Sequence, residues 1–152
     1  MGTCCRKGDE SKMTPKELDF IWRLNDYINT LDLFAWSNVG LLEETESLSV
    51  MAMPGGEEIV YFDGSRDKHF NVQINAKSKN QLNCIDSLAK VARVLENLQE
   101  DTIKSENDSF YFESISVTSP VSIVGQDEQG FFIYALSISA KIHINKGVDM
   151  NG

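Results

Sequence analysis

A chain of 152 residues with 41% hydrophobic and 24% charged side chains holds enough apolar material for one domain with a core that needs neither disulfides nor metals. Its 23 acidic against 14 basic residues give a net charge of −9, which repels polyphosphate and disfavours duplex binding, apart from any local basic patch. No apolar run approaches the roughly 20 residues of a membrane-spanning helix and the start of the chain has no apolar leader core, so the protein is expected to stay in the cytoplasm of the cell that makes it.

Residues 1–12 lack apolar periodicity and are rich in Gly, Lys and acids, so they are expected to be a disordered tail, either an added leader or an upstream start. Met13 looks like a second beginning, because Thr14, Pro15 and Glu17 fit the N-cap, N1 and N3 positions of a helix. A single domain is expected over 13–146, with 147–152 as a flexible C-terminus. Leu18, Ile21, Trp22, Ile28 and Leu31 follow helical spacing and predict a helix from about Pro15 to about Leu31. The next stretch, Leu33 to Leu42, is apolar without a clear period, and Gly40 argues against a long helix. It is expected to be a connection that tucks Phe34 or Trp36 into the core.

Two short strands are predicted at Leu48–Met53 and Glu57–Tyr61, separated by the turn signal Pro54-Gly55-Gly56. Asp63-Gly64 marks the turn into a strand at Lys68–Ala76, where Phe70, Val72, Ile74 and Ala76 share one face and His69, Asn71, Gln73 and Asn75 the other. These three strands read as an antiparallel meander. Ser78 and Gln81 then stand at capping-box spacing, and Leu82, Ile85, Leu88, Ala89, Ala92 and Leu95 form one helical stripe ending near Leu98. After a polar loop over 99–108, a strand is predicted at Phe110–Thr118, with Pro120 ending or bending it and Val121–Val124 as a short edge piece. A loop at Gly125–Gly130 leads to the longest alternation in the chain. It sets Phe132, Tyr134, Leu136, Ile138, Ala140, Ile142 and Ile144 on one face of a central or near-central strand. The fold class is therefore α+β: a mostly antiparallel sheet of about five strands with two helices packed on one face.

The chain offers little chemistry. Cys4 and Cys5 are adjacent, Cys84 lies beside the helical stripe, and no CxxC or Cys/His spacing suits zinc, so the thiols are expected to be reduced and uninvolved in catalysis. His69 and His143, the only histidines, sit on polar strand faces, where solvent exposure is a commoner reason for histidine than acid–base work or metal binding. The acidic runs Glu43-Glu44-Thr45-Glu46 and Asp127-Glu128 do not follow EF-hand spacing and read as solvated loops. No P-loop, GxSxG, HExxH or GxGxxG occurs. The expectation is therefore no catalytic residue, no cofactor and no metal.

Contact surfaces are the better candidates. Asp63, Arg66, Asp67 and Lys68 cluster at a hairpin tip, either as a solubilising turn or as an intersubunit salt-bridge patch. Gln126, Asp127 and Glu128 occupy the second loop. Phe131 and Ile133 fall on the strand face opposite the core and are expected to meet solvent or another chain, the usual mark of assembly.

Taken together, Tyr61-Phe62-Asp63-Gly64-Ser65-Arg66-Asp67-Lys68, Ile74-Asn75-Ala76-Lys77-Ser78-Lys79, Asp127-Glu128-Gln129-Gly130-Phe131-Phe132-Ile133-Tyr134 and Ile138-Ser139-Ala140-Lys141 resemble the minor capsid proteins of tailed phages and prophages of Gram-positive bacteria. That family is similar in size and element order to the tail terminator proteins of long-tailed phages, and the likeness covers about residues 14–145. The resemblance implies a ring, a hexamer in that family, at the head-proximal end of the tail tube. Such a ring stops tube polymerisation and presents a surface to the head connector protein. The implied partners are further copies of the chain, the tail tube protein and the connector, with DNA passing through unbound and no membrane involved. The implied location is the virion tail or neck, after synthesis in the bacterial host cytoplasm. A head–tail connector or minor capsid component is the alternative reading, and a small cytoplasmic ligand-binding or enzymatic domain using His69 and His143 a second.

Overall fold

Strict alternation over long segments builds this fold, because a strand with every second residue apolar buries one face and leaves the other polar. The computed structural model describes residues 16–149. In chain order the elements are β1 (Lys16–Glu17), α1 (Phe20–Asn29), β2 (Ser37–Val39), β3 (Ser47–Ala52), β4 (Glu58–Val60), β5 (Arg66–Ser78), α2 (Gln81–Glu96), β6 (Phe110–Gln126), β7 (Phe132–Ile144) and β8 (Val148–Asp149). The architecture is α+β, with two helices and a mixed, mostly antiparallel six-stranded sheet in the order β2-β3-β5-β7-β6. β4 pairs with β5 off that path, and β1 and β8 form a separate parallel pair.

β5 and β7 run antiparallel in unbroken register from Arg66↔Ile144 to Ser78↔Phe132. This register sets Phe70, Val72, Ile74 and Ala76 beside Ala140, Ile138, Leu136 and Tyr134, all of them buried. These residues join Phe20, Ile21, Leu24 and Ile28 of α1 and Cys84, Leu88, Val91 and Leu95 of α2 in one hydrophobic cluster. Phe20 is the central contact of α1. Its ring meets Phe70 and Phe110 edge-on at 5.4 and 5.2 Å between centroids and stacks with Phe112 at 6.5 Å. On the opposite face of the strands, small polar residues bond to one another: Asn75 donates to Ser49 at 3.2 Å and Gln73 to Asn75 at 2.8 Å.

Several expectations need correction. The first helix begins at Phe20, since Lys16 and Glu17 are taken up by pairing with Val148 and Asp149. Its N-cap is Asp19, whose carboxylate caps no helical amide but accepts from the Ser105 and Ser109 hydroxyls at 2.7 and 2.8 Å and from the Glu106 amide at 2.8 Å, tying the helix to the 99–109 loop. Trp22 is 54% exposed, and Phe20 and Leu24 take the inward positions instead. The proposed cap at Thr14 and the tail over 1–12 lie outside the described residues. Of the expected flexible C-terminus over 147–152, Val148 and Asp149 are paired in a strand and Val148 is buried.

The expected meander does not form. β3 and β4 both pair with β5, along successive parts of the same edge, instead of with each other. The sixth strand of the sheet is β2, parallel to β3, in a segment too short to show alternation. Phe34 packs against the core as expected, whereas Trp36 is 67% exposed. At the start of α2 the cap is Asn80, whose side chain accepts from the Leu82 amide, while Ser78 ends β5 as a buried residue. The α2 stripe is rotated from the expected one: Cys84, Ser87 and Val91 face inward, and Leu82 and Ala89 face out. Burial pushes the Cys84 thiol up to about 11.

β6 crosses Pro120 without ending, because it is an edge strand and four register shifts, one of which spans Pro120 between Ser119 and Ser122, release residues from the ladder. The first shift, between Phe112 and Ser114, brings Ile115 onto the same face as Phe112, although simple alternation would place them on opposite faces.

Phe20→Ala is expected to cost about 3–5 kcal/mol in urea unfolding, from the lost ring and the cavity it leaves, whereas Trp22→Ala should change stability by no more than about 0.5 kcal/mol. Equal losses at the two positions would contradict the assigned helix orientation.

Candidate functional site

The two expected contact loops lie at opposite ends of the β5–β7 ladder. The β4–β5 hairpin tip precedes Arg66, opposite Ile144, and the β6–β7 loop precedes Phe132, opposite Ser78. Twelve strand steps separate them, roughly 40 Å at strand rise, so Asp63, Arg66, Asp67 and Lys68 do not form one surface with Gln126, Asp127 and Glu128.

At the hairpin tip most of the charge is already engaged within the chain. Asp63 Oδ1 accepts from the Ser65 amide at 2.9 Å and the Ser65 hydroxyl at 2.7 Å, and these bonds hold its carboxyl below the usual range. Gly64 takes φ 91°, and its amide donates to the Tyr61 carbonyl at 3.0 Å, closing a turn whose third central position requires the left-handed region. Arg66 lies 3.5 Å from Glu58 and donates to the Val148 carbonyl at 2.8 Å, which ties the last strand to the hairpin. Asp67 accepts from the Tyr61 hydroxyl at 2.5 Å and faces His143 Nδ1 at 2.7 Å. The Tyr61 bond first, and then His143, lower the Asp67 carboxyl, while the same Asp67 raises the Tyr61 phenol. Lys68 forms no ion pair among the described residues; its ammonium reaches only the Gly55 carbonyl, at 3.5 Å.

The β6–β7 loop repeats this chemistry. Asp127 Oδ1 accepts from the Gln129 and Phe131 amides at 3.0 and 2.9 Å, Gly130 takes φ 91°, and Lys77 stands 3.3 Å from Asp127 Oδ2. The Phe131 amide is the main reason the Asp127 carboxyl is lowered. The expectation that Phe131 meets solvent or another chain is corrected: it is 7% exposed, with the Lys77 and Lys79 ammoniums 5.2 and 5.1 Å from its ring centroid. Ile133 is half-buried, while Gln126 and Glu128 are exposed.

Sequence reasoning missed a run of exposed apolar residues on the hairpin itself. Ile59, Val60 and Tyr61 are 58%, 64% and 43% exposed, and Phe62 stands wholly in solvent. The available signal was an aromatic residue directly before Asp63-Gly64, a place where the turn needs no apolar side chain. His69 and His143 do not face each other across the ladder: His69 is opposite Lys141, and His143 opposite Asp67. Among the described residues no group of three or more His, Cys, Asp or Glu side chains is placed to hold a metal ion.

Because the fold lowers the Asp67 pKa, the stability this gives is fully present above the unfolded carboxyl pKa of about 3.9 and is lost as pH falls through the lower folded value. Asp67→Asn should therefore cost about 1 kcal/mol at pH 7, a figure kept small because the site is partly exposed. The difference between the two proteins should shrink steadily as pH falls below about 3.9, and a loss of the same size at every pH would remove Asp67 ionisation as the cause.

A family model described as bacteriophage tail terminator protein matches residues 27–144, which takes in the last turn of α1 from Tyr27, all of α2, the whole six-stranded sheet and both loops. Among curated proteins none matches the chain. No helix among the described residues is long and apolar enough to cross a membrane. Since the matched region is well over half of the sequence, the chain belongs to the bacteriophage tail terminator protein family, a family of phage structural proteins.

Proposed function

We propose that this protein forms a ring at the head-proximal end of the phage tail, where it ends polymerisation of the tube and joins the tail to the head connector. The family match over the whole sheet carries this reading. Its partners are then further copies of the same chain, the tail tube protein and the connector protein, and its place is the tail or neck of the virion. The chain works by contact and not by catalysis. Both helices share one hydrophobic cluster with the core side chains of the sheet, and the hairpin and the β6–β7 loop, at the ends of the β5–β7 ladder, are the surfaces offered to neighbours in this reading. Exposed apolar residues on the hairpin support an assembled state, since such a strip costs solubility in a lone monomer. A net charge of −9 suits a ring through which DNA slides without being held.

Deleting the coding sequence from the phage should give tails of abnormal length and heads without tails, seen by electron microscopy and restored by complementation. Normal tail lengths with heads attached would sink the proposal. Tails purified from a head-defective phage should retain the protein; its absence from them would move it to the neck.

A further inference from the structure

The hairpin tip Tyr61-Phe62-Asp63-Gly64 gives a structural task to every residue except one. Tyr61 closes the turn with its backbone and bonds Asp67 with its hydroxyl, Asp63 holds Ser65, and Gly64 supplies the positive φ. Phe62 does none of these, and its ring is the most exposed apolar side chain among the described residues. Its backbone is nevertheless held in place, because the turn around it is closed by backbone bonds at 2.8 and 3.0 Å and by the Asp63–Ser65 pair. An aromatic anchor whose backbone is fixed before binding has only its two side-chain torsions to order when it docks.

A matching recess lies on the same sheet edge. Where β3 ends and β4 has not begun, residues 53–57 leave a groove of about 420 Å³, with Ala52, Met53 and Phe70 as apolar walls and Glu58 and Lys68 at the rim. The charge of Glu58 faces Arg66, but Lys68 meets no carboxylate within ion-pair distance among the described residues. The rim therefore favours an incoming aromatic group with an acid beside it. Phe62 followed by Asp63 is such a group, and the turn uses only Oδ1 of Asp63.

We propose that Phe62 of one copy seats in the Met53–Phe70 groove of a second copy, bringing Asp63 to Lys68. Phe62 does not occupy the groove of its own chain: its ring is wholly exposed, and the Met53 wall, bonded to Asn71, lies six strand steps or roughly 20 Å from the Tyr61–Ser65 pair. The contact joins two different patches, so repeated head to tail it closes a ring where the rotation permits. It rests on the reading of the chain as a ring-forming tail protein and supplies the residues of one subunit contact.

The full chain with Cys4→Ser and Cys5→Ser provides the test, since Cys84 is buried. Phe62→Cys protein mixed with Met53→Cys protein should form a 62–53 disulfide under mild oxidation, identified by peptide mass spectrometry. Its yield should stand well above that of Phe62→Cys mixed with Leu82→Cys, a control thiol placed on the exposed face of α2. Phe62→Ala should weaken self-association by about 30-fold or more in sedimentation equilibrium, the loss expected of an anchor residue. Its melting temperature should stay that of the parent, and Lys68→Glu should weaken association in the same direction. Disulfide yield no higher than the control, or Phe62→Ala associating like the parent, would overturn the proposal and assign the tip to a different occupant, such as the tube or connector protein. The phage deletion separates the two readings. A 62–53 link with normal tails in the deletion keeps this contact and removes the terminator role, and abnormal tails without the link do the reverse.

Discussion

The β5–β7 ladder is the constraint on which the rest of the molecule depends. Thirteen residues of each strand stay in register without a bulge, and because side chains alternate with period two, a slip of one residue would turn every core side chain outward. Phe70 to Ala76 and Tyr134 to Ile144 form the middle of the sheet's share of the core, flanked by Leu48 and Val50 of β3 and by Phe110, Phe112 and Ile115 of β6, and both helices contribute to the same cluster. The same ladder fixes the distance between the two loops. A straight run of paired strand cannot bring its ends together, so the hairpin tip and the β6–β7 loop are separate surfaces that can serve separate neighbours.

The two sides of that ladder treat exposed backbone differently. Along β6 the outer edge is interrupted by four register shifts and by Pro120, which has no amide to offer, and the segment 101–104 lies across its first part through a bridge from Lys104 to Tyr111. Such features discourage a further strand from adding. At β4 the protection is only shortness. Pairing at Glu57–His69 and Tyr61–Ser65 implies, by alternation, that the backbone groups of Glu58 and Val60 point away from β5. Neither Lys nor Pro stands in that strand, and Ile59 and Val60 are both open to solvent. The β4 side of the sheet is thus less guarded against an added strand than β6.

How far the sequence could be read follows from how local each determinant is. Alternation is a local property, so β5, β7 and the core face of each were legible from residue spacing alone. Turn chemistry is local too, and Pro54-Gly55-Gly56, Asp63-Gly64 and the Gly125–Gly130 loop all fall between strands. Pairing partners are not local. Nothing in Leu48–Tyr61 says that β3 and β4 share one edge of β5, and nothing in Ser37–Val39 says that a three-residue segment will pair in parallel with β3. The bulge after Phe112 also depends on the partner strand, and it alone brings Ile115 to the core. On helices the error was one of rotation. Trp22 and Leu82 fit an apolar stripe by spacing, but Phe20 and Cys84 lie closer to the centre of the buried arc, and a small thiol fits where α2 approaches β7 near the Phe132 carbonyl.

The exchange of roles between Phe131 and Phe62 has the same origin. Both aromatics sit in loops of like construction, an aspartate bonded to the amides that follow it and a glycine in the left-handed region. Sequence spacing placed Phe131 on the open face of the last long strand, but β7 begins at Phe132 and Phe131 belongs to the loop before it. Its ring is nonetheless covered because β5 delivers Lys77 and the turn after it delivers Lys79, whose aliphatic stems and charges close over it. At the other end of the ladder no such pair of long side chains arrives, and leaving the Phe62 ring in water forgoes the roughly 1.5–3 kcal/mol that burial would give. A turn whose aspartate, glycine and tyrosine already secure its geometry has no structural need for that ring. The exposed ring at the tip of the hairpin, more than the charged flank at Arg66 and Asp67 that the fold already engages, is therefore the observation on which the proposed contact between copies rests.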